Sequence, residues 1–112
     1  MARNQLLEAT PYPVDAALKR LGQNLRTARI NRNYSIAEVA AKIGTGPRAV
    51  MDAEKGKAST SMAIYAALLW AYDLLSPLED LASPATDEQG TILAATRGRI
   101  RARKKGTLDN DF

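Results

Sequence analysis

The chain has 112 residues, a net charge of +4, and neither cysteine nor histidine, a length that fits one hydrophobic core. Without those two residue types there are no thiolate zinc sites, disulfides, cysteine nucleophiles or Ser-His-Asp arrangement, so no catalytic residue, metal or cofactor is expected. Residues 1–58 hold ten Lys/Arg against five Asp/Glu, 59–96 none against five, and 97–105 six against none, a division that suggests one surface for a polyanion and another for protein.

Residues 1–14 read as a flexible N-terminal arm. Pro11 and Pro13 flank Tyr12 and push the backbone toward extended conformations. No long apolar signal core precedes them, so a cytoplasmic location is expected. Asp15 can cap a first helix in which Leu18, Leu21, Leu25 and Ala28 recur at steps of three and four, ending near Arg32 with Lys19, Arg26 and Arg29 outside. Ser35 and Glu38 form an S-x-x-E capping box ahead of Ile36, Val39, Ala40 and Ile43. Gly44 suits the left-handed residue that ends this second helix. Gly46 and Pro47 then open a third, with proline at the first position where its missing N–H does no harm, and Val50 and Ala53 point inward. Helix, glycine turn and short helix together make a helix-turn-helix unit over residues 35–56.

A fourth helix, capped among Ser59, Thr60 and Ser61, is expected to reach Leu75. Its apolar run from Ile64 to Leu75 is shorter than the roughly 18 to 20 residues that cross a bilayer, so no membrane partner is expected. Ile64, Leu68, Ala71 and Leu75 share one side and should face the core; Tyr65, Leu69 and Trp70 fall on others and are candidates for a dimer or partner interface. Complete cover by the chain's own helices is the competing reading. Ser76-Pro77-Leu78-Glu79 is a second capping box and opens a short fifth helix through Leu81. Residues 83–112 form either a further helix or a disordered basic tail, because Gly90 and Gly98 each weaken a helix by roughly 1 kcal/mol. No alternating strand pattern occurs, so the fold class is all-α.

The segment LGQNLRTARINRNYSIAEVAAKIGTG, the Glu54-Lys55-Gly56-Lys57 step and the Leu78-to-Leu81 helix resemble the Cro/repressor-type helix-turn-helix family, also called the XRE family, over about residues 18–82. The resemblance implies a five-helix domain over residues 15–82 that inserts its third helix into the DNA major groove. It also implies a homodimer on an inverted-repeat operator in double-stranded DNA. More narrowly, GTGPRAVMDAEKGKASTSMAIYAALLWAYDLL looks like the HipB-type antitoxins, which repress their own operon and bind a HipA-like kinase toxin or its subunits. A stand-alone phage-type repressor and a toxin-binding module with secondary DNA binding are the alternatives.

In that docking geometry Arg48, Met51 and Asp52 lie on the exposed side of the third helix as the base-reading set. Arg48 alone can grip guanine O6 and N7 in a bidentate contact. Asp52, four residues on, either orients Arg48, accepts from cytosine N4, or forms an ordinary intrahelical pair. Phosphate contacts fall to Ser35, Thr45, Gly46 and Lys57, with Arg26, Arg29 and Lys55 adding charge. Arg97, Arg99, Arg101, Arg103, Lys104 and Lys105 are either a DNA-binding tail or a solvated one.

Overall fold

A computed structural model describes residues 4–108, with side chains placed through Arg103. Among them it contains seven helices and no strand: α1 (Gln5–Glu8), α2 (Tyr12–Asn31), α3 (Ile36–Ile43), α4 (Pro47–Glu54), α5 (Met62–Ala71), α6 (Ser76–Glu79) and α7 (Glu88–Leu108). The chain divides into two compact units, residues 1–78 and 79–112.

In the first unit, residues 5–8 and 12–14 of the arm expected over residues 1–14 are helical, and residues 1–3 lie outside the described residues. Asn4 caps α1 by accepting from the Leu6 N–H at 3.0 Å. The prolines begin α2 instead of preventing it. Pro11 is its N-cap at φ −53, and Pro13 falls in the first turn, where a missing N–H leaves no helical bond unmade. Asp15, the expected cap, instead pairs with Lys19 one turn on, at 2.9 Å.

Four helices stop by one mechanism. Asn33, Gly44, Gly56 and Asp73 take φ values of 57, 82, 70 and 59, the left-handed region. The amide after each returns to the carbonyl five residues back: Tyr34 to Arg29 at 3.2 Å, Thr45 to Ala40 at 2.9 Å, Lys57 to Asp52 at 3.1 Å, Leu74 to Leu69 at 2.8 Å. This six-to-one closure satisfies carbonyls the helix end leaves open and reverses the chain sharply. It ends α5 at Ala71, one turn before the expected Leu75, because Asp73 takes the closing position.

The reversals pack α4 against α2, α3 and α5. The core they enclose is Leu25, Ala28, Val39, Ala40, Val50, Ala53, Tyr65, Leu68 and Tyr72. Ringed by Leu18, Leu21, Ile36 and Ile43, it follows the apolar periodicity of α2, α3 and α4. At one point the helix backbones themselves touch. A Cβ on Gly22 of α2 would lie 2.6 Å from the Ala53 carbonyl oxygen and 2.7 Å from the Gly56 nitrogen, and one on Gly56 would lie 2.5 Å from the Leu18 oxygen. Two facing glycines therefore set how closely the end of α4 approaches α2.

Two arginines fasten the C-terminal half of α2. Arg29 grips Glu54 with Nε and NH2 at 2.6 and 3.0 Å and donates through NH1 to the Tyr34 carbonyl at 3.0 Å. Arg32 donates to the carbonyls of Ala28 and Tyr72 and lies 5.6 Å over the Tyr72 ring. Burial, and then the nearby Glu54 carboxylate, push the Tyr72 phenol up to about 12.

In the second unit, the Ser83 hydroxyl accepts from the Ala85 N–H at 3.2 Å and Asp87 accepts from the Gly90 N–H at 3.0 Å. α7 then runs through both Gly90 and Gly98, so residues 88–108 of the segment left open as helix or tail are helical, and residues 109–112 lie outside the described residues. Ile92, Leu93 and Ile100 are exposed on it, as are Arg97, Arg99, Arg101 and Arg103. The side chains of Lys104 and Lys105 lie outside the described residues. No helix of the described residues is long and apolar enough to cross a membrane.

Candidate nucleic-acid interface

The exposed face of the first unit is built on α3, the three-residue turn 44–46, and α4. The capping box expected from the sequence is formed at α3. The Ser35 hydroxyl accepts from the Glu38 N–H at 3.0 Å, and the Glu38 carboxylate accepts from the Ser35 N–H at 3.0 Å. Donation from the Ser35 amide foremost, and then from the Ser35 hydroxyl, holds the Glu38 carboxyl below its usual range. Gly44 closes α3, and Gly46 is the N-cap of α4, with no side-chain cap bond. Because Pro47 has no N–H and Ala49 donates to Gly46 at 3.2 Å, the Arg48 amide is the open donor of the first turn. Thr45 is half-buried, and its own amide is spent closing α3.

Pro47, Arg48 and Met51 form the exposed face of α4, opposite buried Val50 and Ala53. The Arg48 side chain is 80% exposed, and its Nε lies 3.5 Å from Asp52 Oδ1. Lys57 reaches the same oxygen from beyond the helix, Nζ to Oδ1 at 3.7 Å. Its amide bond back to the Asp52 carbonyl folds it over that residue. Both distances are longer than a good hydrogen bond. Asp52 Oδ1 is shielded from solvent and accepts no hydrogen bond among the described residues. Arg26, Ile36, Met51, Glu54 and Lys55 line a shallow groove beside this face. The structure thus gathers Arg48, Met51, Asp52, Lys57, Arg26 and Lys55 around one face, with Ser35, Thr45 and Gly46 at the helix ends that frame it.

Arg29 does not join them. Its side chain is 12% exposed and is taken up by Glu54, itself 6% exposed. That bonding raises the already high pKa of the guanidinium, making Arg29 a strut between α2 and α4 instead of a phosphate contact. The interface candidates on α5 separate as well. Tyr65 is in the core at 2% exposure and its hydroxyl donates to the Lys57 carbonyl at 2.8 Å. Leu69 packs half-buried against the core, while Trp70 is 57% exposed. Leu68 is buried and Ile64 and Ala71 pack against the core as their spacing indicates, but on this helix, apolar nearly all round, the buried side extends to Tyr65 as well. The sharing of Asp52 by Lys57 was missed too, although Gly56 signals the chain reversal that produces it.

Residues 25–79 match the helix-turn-helix family. No curated protein and no solved structure matches the chain. The matched segment runs from the middle of α2 to α6 and contains the whole exposed face just described, so these residues are a helix-turn-helix domain of the XRE type, a class of DNA-binding transcription regulators.

Proposed function

We propose, from the helix-turn-helix domain at residues 25–79, that the protein is a sequence-specific repressor that enters the major groove with α4 and binds as a homodimer. The observation that carries this reading is the N-terminal end of α4, which is free of any side-chain cap and carries an exposed Arg48. Arg48 reads guanine, Met51 contacts an adjoining base, and Asp52 accepts from cytosine. Ser35, Thr45, Gly46 and Lys57 anchor phosphates; Arg26 and Lys55 add longer-range attraction, and Arg97, Arg99, Arg101 and Arg103 of α7 a second cationic element. The exposed Trp70 supports a subunit or partner contact.

The test is selection of duplexes from a randomised pool. Enriched sequences are expected to hold an inverted repeat with half-site centres about one helical turn apart, or a multiple of that. Lys57→Ala is expected to weaken binding to the enriched duplex and to flatten its salt dependence by about one unit per subunit. A pool without any enriched sequence contradicts the reading.

The narrower proposal, antitoxin or autoregulator of a HipA-like kinase operon, rests on the resemblance of residues 44–75 alone. Co-expression with the products of the neighbouring reading frames, followed by size-exclusion chromatography, tests it. Co-elution with a kinase-like product, whole or split, supports it; no co-elution favours a stand-alone repressor.

A further inference from the structure

We propose that Asp52 determines specificity by acting as one counter-ion for two DNA-facing cations, so that Arg48 and Lys57 are released together only on a duplex that also satisfies the carboxylate. This rests on the reading of α4 as the groove-entering helix.

Two features of the sequence bring the cations to one atom. Arg48 and Asp52 are four residues apart on α4 and share a face. Lys57 is folded back over Asp52 by the left-handed Gly56 and by its own amide bond to the Asp52 carbonyl. The ion pairs at 3.5 and 3.7 Å hold both cations near Oδ1 without a hydrogen bond, and that oxygen is closed to water. Hence it has an unmet demand for a donor.

A polyanion competes with Asp52 for Arg48 and Lys57. On an unmatched duplex, their release would leave the carboxylate facing phosphates with its charge exposed and its oxygen without a donor, so the cations stay on Asp52 and binding is weak. On a matched duplex, Arg48 grips guanine and a cytosine N4–H supplies the missing donor. One turn of α4 separates the two side chains, about 5.4 Å of rise, so the guanine and cytosine fall within two or so base-pair steps. A carboxylate on a phosphate-seeking face therefore lowers affinity for wrong sequences more than for the right one.

The full-length chain is used with two probes: the duplex it enriches from a randomised pool and a shuffled duplex of the same length. Asp52→Asn keeps the side-chain shape while removing the charge and exchanging one acceptor oxygen for an NH2 donor, and long ion pairs to cations 80% and 49% exposed contribute little to folding, so thermal unfolding is expected to stay close to the wild type. Binding of the shuffled duplex is expected to tighten with no gain on the enriched one, lowering the ratio of affinities about tenfold, within the span of one bidentate base contact. Asp52→Glu, which restores the charge, is expected to recover part of that ratio. A ratio in Asp52→Asn within about twofold of the wild type, smaller than any single base contact provides, overturns the proposal. So does an Asp52→Glu protein no more selective than Asp52→Asn. A wild-type chain that binds both duplexes equally overturns the DNA reading itself.

Discussion

Gly22→Ala is expected to destabilise the first unit strongly, although alanine is the better helix former. Replacing glycine inside a helix gains about 1 kcal/mol in propensity. Against that, the added Cβ would sit 2.6–2.7 Å from the Ala53 and Glu54 carbonyl oxygens and the Gly56 nitrogen. These are backbone atoms at the closure of α4 and cannot rotate away as a side chain can. Overpacking of this kind costs about 3 kcal/mol or more when the backbone must move. The stability of a small domain is itself only of order 5 kcal/mol, so a net loss of about 2 kcal/mol takes a large part of the margin. A urea titration followed by circular dichroism is expected to show the midpoint falling by roughly 40%. An unchanged midpoint would mean that α2 and α4 can separate freely and that their spacing does not set the position of the readout face.

The second large effect concerns Glu54. Removing it leaves Arg29 nearly buried, with only the Tyr34 carbonyl as its remaining acceptor. Breaking one side of a buried ion pair costs about 3–5 kcal/mol, whereas exchanging both partners for apolar side chains of similar volume is often neutral. Glu54→Ala is therefore expected to lower the stability of the first unit severely, and Arg29→Met combined with Glu54→Leu to restore most of it. The comparison is made in the same denaturant titration. Equal losses in the single and the double variant would show that the pair's net attraction, not the isolated charge, is what counts.

Local chemistry made the reading unit legible. Ser35 and Glu38 close their box as an S-x-x-E spacing requires, Gly44 takes the left-handed conformation, and Pro47 opens α4, since each device depends on a few adjacent residues. The same local reading failed at Pro11 and Pro13, because a proline that breaks a helix interior is equally suited to a helix start, and neighbours alone do not say which applies. Arg29 shows another limit. It sits on the expected outer face of its own helix, and only the approach of α4 brings up Glu54, 25 residues along the chain. Tyr65 shows the limit for α5: Ile64, Leu68 and Ala71 do turn to the core as their spacing indicates, but on a helix apolar nearly all round periodicity does not say how far the buried side extends. Gly22 left a signal that went unread, a glycine inside an otherwise strong helical run, which often marks close backbone approach.

The central claim is that α4 reads sequence through Arg48. The most direct test is to repeat the duplex selection with Arg48→Ala and compare base preferences position by position with the wild type. Loss of a bidentate guanine contact is worth about 1–3 kcal/mol of discrimination, so the preference for guanine is expected to vanish at one base pair in each half-site while the other positions and the half-site spacing persist. An Arg48→Ala protein that enriches the same sequence with the same preference at every position would contradict the account.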